Sequence, residues 1–199
     1  MSLLVKICGL RSEEDVDAAI EAGANAVGFV FAKSVRQVSA KEAAAATANM
    51  HEDVRKVAVM RHPTNKEWQD VLLGFRPDAL QTDIEDFEAI DVPDTVQCLP
   101  VVREGSAALD GDLPDVFLYE GRNSGKGETV DWDKAAELAL RGKMILAGGL
   151  SAANLGEAIA IVRPFGVDVS SAVESEPGRK SPELIREFIN AARAAEQDL

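Results

Sequence analysis

The sequence is short of cysteine. It holds two, Cys8 and Cys98, far apart along the chain. Two thiols cannot build a disulfide framework, so a reducing compartment is expected and a cytoplasmic location with it. No apolar run reaches the ~18 residues of a membrane helix. The first residues, Met1-Ser-Leu-Leu-Val-Lys6, run straight into a strand pattern and lack a signal-peptide layout. Histidine is scarce too. His51 and His62 are not at metal-ligand spacing, both read as surface residues, and no zinc, P-loop or Ser-His-Asp pattern occurs. No metal is therefore expected. Basic residues are in deficit: 21 Lys and Arg against 34 Asp and Glu give a formal net charge of −13. That argues against nucleic acid and anionic membrane as partners. The acidic excess has two readings, adaptation to high salt and ordinary solubility.

What the chain does have is repetition. Its 199 residues suffice for a substantial core, and one domain spanning 1–199 is expected, since no stretch reads as a linker. Short apolar runs predict eight strands near Leu3–Ile7, Ala26–Phe31, Lys56–Met60, Ala79–Gln81, Val96–Val101, Val116–Tyr119, Met144–Ala147 and Val167–Ser170. They are nearly continuous rather than alternating, as for parallel strands buried on both faces. Helical patterns lie between most of them. Glu13–Ala22 places Val16, Ala19 and Ile20 on one face and stops at Gly23. Ser39 with Glu42 and Thr64 with Glu67 fit capping boxes. Ser12 and Ser151 are expected N-caps, and Ser181-Pro182 sets a cap beside a first-turn proline. The segment between Val101 and Val116 has two glycines and a proline and is too short for a full helix. The fourth helix, around Ile84–Ile90, also reads as short.

Strand then helix, eight times over, predicts an α/β protein: a compact (β/α)8 TIM barrel with helix 5 missing or reduced and helix 4 short. An open doubly wound sheet is the alternative. It normally carries a glycine-rich turn after the first strand, where Lys6-Ile-Cys-Gly-Leu10 has one glycine.

Two successive strand endings are rich in small residues: Met144-Ile-Leu-Ala-Gly-Gly-Leu150, and Gly166-Val-Asp-Val-Ser-Ser-Ala172. Small residues let backbone N–H groups approach an anion, and a helix start adds a favourable dipole. Gly148, Gly149, Ser171 and Ala172 are the candidate phosphate cup. In a barrel the chemistry sits at the C-terminal strand ends. Cys8 there is a nucleophile or base, or a small buried hydrophobe. Glu120 is an acid/base group or a solvated charge, and beside Cys8 and a phosphate cup the functional reading is preferred. Arg36 either meets an anionic substrate group or decorates the surface. Gln81 ends strand four. Asp168 lies within a strand and must be paired, either orienting a site group or closing a structural ion pair. The loop from Gly121 to Gly127 suits folding over a ligand. Cys98 reads as core.

Several separate motifs, in order, resemble those of the phosphoribosylanthranilate isomerase family. They are Lys6-Ile-Cys-Gly-Leu10, Ala26-Val-Gly-Phe-Val-Phe31, Ser34-Val-Arg-Gln-Val-Ser39, Leu146-Ala-Gly-Gly-Leu150, and Gly166–Glu174 continuing to Pro177-Gly178. The resemblance runs nearly end to end. It implies a cofactor-free Amadori rearrangement of a small phosphoribosyl substrate by a monomer or homodimer. It implies that Cys8 is the general base and that Glu120 stands at the aspartate general-acid position. It also implies that Arg36 contacts the anthranilate part, while Gly149, Ser171 and Ala172 hold the phosphate. A thiol of ordinary pKa ~8.5 is only a few per cent thiolate at pH 7, so its surroundings are expected to lower that value. The chain departs from the family pattern in four places. Glu120 replaces aspartate, and Asp83 ends Leu80-Gln-Thr-Asp83 where Gln-Leu-His-Gly is usual. Val35 replaces proline, and Ala172 replaces glycine. The alternatives are a non-catalytic phosphosugar-binding barrel and another phosphate-binding barrel enzyme of the tryptophan pathway.

Overall fold

Each apolar run becomes a strand of one barrel. The computed structural model describes residues 2–122 and 129–197. Within them β1 (Leu4–Cys8), β2 (Ala26–Val30), β3 (Arg55–Val59), β4 (Ala79–Asp83), β5 (Gln97–Arg103), β6 (Val116–Glu120), β7 (Lys143–Leu146) and β8 (Gly166–Val169) pair in sequence order into a closed barrel. All neighbours are parallel, and closure pairs Leu4 with Gly166 and Lys6 with Asp168. This is the expected (β/α)8 barrel. Strands alternate their side chains between two faces, so two cores form. The inner one gathers Ala26, Val57, Leu99, Val101, Leu118 and Ile145. The larger one, with Val5, Ile7, Phe29, Leu80, Tyr119 and Leu146, lies between barrel and helices. Four strands run past their expected ends, so Cys8, Asp83, Arg103 and Glu120 are themselves terminal strand residues.

The helices are α1 (Glu13–Ala22), α2 (Ala40–Ala46), α3 (Asn65–Phe75), α4 (Trp132–Ala139), α5 (Leu155–Val162) and α6 (Pro182–Glu196). Ser12 and Ser181 cap α1 and α6, and both capping boxes form at α2 and α3. Gly23 ends α1 with φ 100, the left-handed conformation that glycine adopts without cost. The fourth and fifth crossovers carry only 3-10 turns, Ile84–Glu88 and Ala107–Asp110. Helix 4 is thus shorter still than its sequence suggests.

That trimming corrects one reading. Cys98 is exposed, not core. It lies on the outer face of β5, where a full helix would have covered it. Ser151 is not the cap of its helix either. Asn154 occupies that position, its side chain accepting from the Ser151 N–H at 2.8 Å. The C-terminal helix clasps the start of the chain. Glu196 accepts the Leu3 N–H at 2.7 Å, and Arg193 donates to the carbonyls of Leu3 and Gly23 at 2.7 and 3.0 Å. After β8 a short hairpin, β9 (Glu174–Glu176) and β10 (Arg179–Lys180), folds back beside the mouth. Among the described residues no helix is long and apolar enough to cross a membrane.

Candidate active site

At the C-terminal end of the barrel a cleft of about 210 Å³ is lined by Cys8, Arg36, Gln81, Asp83, Arg103, Glu120 and Asp168, among others. All five side chains expected to act on or bind the substrate outside the phosphate cup lie in it. Gly148 and Gly149 follow β7, and Ser171 and Ala172 follow its neighbour β8, so the four form the adjoining sector of the same rim. Both glycines have positive φ, 88 and 63. Asn154 braces their loop by donating to the Gly149 carbonyl at 2.9 Å. A 3-10 turn begins at Ser171, and its first N–H groups have no partner within the turn. A second cavity, about 290 Å³, opens at the opposite end among Asn25, Asp53, Arg55 and Lys143. That pole of a barrel serves stability rather than chemistry.

Cys8 sits over a charged floor. Lys6 lies two residues before it and therefore on the same face of β1. Lys6 is fully buried, and its Nζ donates to Asp168 Oδ1 at 2.7 Å. Gly28, registered against Cys8 on β2, makes the room. A Cβ there would lie 3.1 Å from Lys6 Nζ and 3.2 Å from Cys8 Sγ. Burial alone would push the Lys6 ammonium down, but Asp168 and Cys8 outweigh it, so Lys6 stays a cation. The thiol goes the other way from the expectation. Burial pushes Cys8 above its ordinary range, and the pull of Lys6 and Lys180 reduces that rise without cancelling it. Desolvation disfavours the charged thiolate more than two cations restore it.

Arg36 is locked, not loose on the surface. Its Nε and Nη2 donate to the two oxygens of Glu174 at 2.6 and 2.8 Å, a bidentate fork. Lys180 reaches the same carboxylate at 2.9 Å and the Ser170 carbonyl at 2.8 Å. Burial would raise Glu174, but the bonds from Arg36 and Lys180 outweigh it and hold the carboxyl below its ordinary range. The aliphatic stem of Arg36 lies over Gly9. A Cβ on Gly9 would sit 2.6 Å from Arg36 Cδ, and its φ is +79. Gly9→Ala should therefore displace Arg36 and strain the turn, costing about 1–3 kcal/mol in stability. Calorimetry and KM measure the two effects, and an unchanged KM would show that Arg36 does not contact the substrate.

Beyond Arg36 the rim continues through β4, β5 and β6. Arg103 Nε donates to Asp83 Oδ1 and its Nη1 to Glu120 Oε1, both at 2.7 Å. His62 stands outside this pair, with Nε2 at 3.4 Å from Asp83 and Nδ1 at 2.9 Å from Asp86. Ligand atoms of His62, Asp83 and Asp86 lie within 4.8 Å of one another. Arg103 already supplies the cation there, so the group is an ion-pair network. Gln81 is buried, and its side-chain oxygen takes no hydrogen bond among the described residues. The loop expected to fold over a ligand falls largely on residues 123–128, outside the described residues.

Sequence reasoning missed Arg103, Glu174 and Lys180 as parts of the site. Period-2 alternation past Val101 would have found Arg103. The other two depend on the hairpin after β8, which has no apolar pattern to announce it.

The sequence profile of the N-(5'phosphoribosyl)anthranilate (PRA) isomerase family matches residues 5–191. The chain is 39% identical to the N-(5'-phosphoribosyl)anthranilate isomerase of Listeria welshimeri over 212 residues, covering 98% of this chain and 100% of that protein. It is 39% identical to the Bradyrhizobium enzyme of that name over 217 residues, covering 99% and 98%. Among solved structures it is similar to a phosphoribosyl anthranilate isomerase in complex with reduced 1-(o-carboxyphenylamino)-1-deoxyribulose 5-phosphate. The TM-score is 0.82 and the identity 32%, over 96% of this chain and 99% of that one. The Thermus thermophilus enzyme matches with TM-score 0.86 and 29% identity over the same shares.

Proposed function

The chain belongs to the N-(5'-phosphoribosyl)anthranilate isomerase family, and we infer that it converts N-(5-phosphoribosyl)anthranilate to 1-(2-carboxyphenylamino)-1-deoxyribulose 5-phosphate in tryptophan biosynthesis. The observation that carries the mechanism is that Cys8 on β1 and Glu120 on β6 open on one cleft. Glu120 donates a proton to the ribose ring oxygen. The C1–O bond breaks and the furanose opens to a Schiff base. Cys8 removes the proton from sugar C2, and the electron pair moves to give the enolamine. Tautomerisation yields the ketone. The sum is an internal redox shift between C1 and C2, so no cofactor is required.

The other residues bind and orient. Backbone N–H groups of Gly148, Gly149, Ser171 and Ala172 hold the phosphate. Arg36, fixed by Glu174, meets the anthranilate part. The buried Gln81 oxygen accepts from a sugar hydroxyl. Asp168 fixes Lys6, and Lys6 keeps positive charge beside the thiolate as it forms. Lys33, Arg36, Arg61 and Arg103 all line the cleft, which draws a substrate bearing both a phosphate and a carboxylate into a protein of net charge −13. The two cysteines, both free, fit a cytoplasmic enzyme. We read the chain as one domain, working as a monomer or homodimer.

Substrate fluoresces and product does not, so turnover is followed directly. The native chain should turn over, and Glu120→Ala should lower kcat by about 10²–10⁴-fold, the usual worth of a general acid. Full turnover in that variant would remove Glu120 from the role. No turnover in the native chain at any salt would leave a phosphosugar-binding barrel.

The raised Cys8 thiol makes a further prediction. Only the thiolate reacts with iodoacetamide. In a Cys98→Ser background the alkylation rate should climb with pH to a midpoint above the ordinary ~8.5. Lys6→Met removes a cation that favours the thiolate, so it should move the midpoint higher still. A midpoint below 8 would mean that Lys6, not burial, dominates.

A further inference from the structure

Two strand-end carboxylates, Asp83 on β4 and Glu120 on β6, meet on one side chain. Arg103, at the end of the strand between them, bonds both at 2.7 Å. The register explains why it can. Arg103 pairs with Glu120 across β5 and β6, while Asp83 pairs with Val101, one pleat below Arg103 on β5. Parallel partners in register point to the same face, so all three side chains emerge inside the mouth. They are well shielded, with side-chain exposures of 5% for Asp83, 20% for Arg103 and 14% for Glu120.

We propose that Arg103 is a positioning residue, anchored on Asp83, that draws the Glu120 carboxyl sideways along the rim. The proposal rests on the reading of Glu120 as the general acid. Glutamate carries its carboxyl one methylene further than aspartate does. Left untethered, it would reach too far across the mouth and sample several rotamers. The guanidinium fork fixes both reach and direction. Asp83 in turn holds the fork, its carboxylate accepting from Arg103 Nε.

The test is a double-mutant cycle on the full chain, with kcat and KM read by fluorescence and folding by circular dichroism. Arg103→Leu should lower kcat about 10²-fold, as for a catalytic group displaced by roughly 1 Å, with KM changed only a few-fold. Arg103→Lys should recover part of the rate, because one ammonium can hold Glu120 but cannot fork to both carboxylates. In the Glu120→Ala background, Arg103→Leu should cause no further loss of kcat. An unchanged kcat in Arg103→Leu overturns the proposal. So does an equal loss with and without Glu120, since Arg103 would then act on the substrate by itself. If Arg103→Leu fails to fold, Arg103→Lys carries the cycle alone. Full turnover in Glu120→Ala removes the acid and the proposal together, whereas a dead Glu120→Ala beside an intact Arg103→Leu removes only the proposal.

Discussion

Cys8→Ala is expected to lower kcat by about 10²–10⁴-fold with little change in KM or in folding. The thiol is buried and lines the cleft, and in the proposed mechanism it serves the reacting carbon rather than the phosphate or the aromatic ring. On that reading its removal takes away proton abstraction at C2 and leaves the binding contacts in place. Packing suffers little, since one sulfur leaves a site floored by Gly28 and Lys6. Cys8→Ser should be nearly as inactive. A hydroxyl is a far weaker acid than a thiol, and its alkoxide would meet the same desolvation. Turnover in Cys8→Ala within tenfold of the native rate would require a different base.

Asp168→Ala is expected to cost about 3–5 kcal/mol in stability, the penalty for leaving one partner of a buried ion pair uncompensated. For a chain of this size that lowers the melting temperature by on the order of 10 °C. The reason is Lys6. Its ammonium is fully enclosed and bonded to Asp168 at 2.7 Å. Without that carboxylate it must be neutralised or forced outward, and Cys8 loses its cation in either case. The double variant Lys6→Met with Asp168→Leu separates the two roles. Two apolar side chains of similar volume should restore much of the stability, while turnover stays depressed. If the double variant regains both, the pair is structural only.

Much of this was legible in the chain. Continuous apolar runs reveal strands buried on both faces, and the caps at Ser12, Ser39, Thr64 and Ser181 mark helix starts by local hydrogen bonding alone. Cys8, Gln81, Glu120 and Asp168 could be placed at the mouth because strand ends dictate it. What depends on several strands at once was not legible. Cys98 looks like core in its own strand and is exposed because the crossovers on either side of that strand are trimmed to 3-10 turns. Glu174 becomes the partner of Arg36 through a hairpin, and Arg103 joins two positions that are distant in sequence. The direction of the Cys8 shift was misjudged for the same reason. A neighbouring cation can be read from Lys6, but full burial is a property of the closed barrel.

The bond between Lys6 and Asp168 spans 162 positions, and it lies where the first strand meets the last. That seam joins the strands most distant in sequence, whose pairing carries the largest loop-closure cost in the ring, so it is expected to close late in folding. The thiol's electrostatic surroundings therefore exist only once the ring has shut. An intermediate with seven docked strands would hold Glu120 and Arg103 in place and yet lack a working base. Recovery of turnover after dilution from denaturant should then lag behind the recovery of helical signal, and it reports the closing step itself.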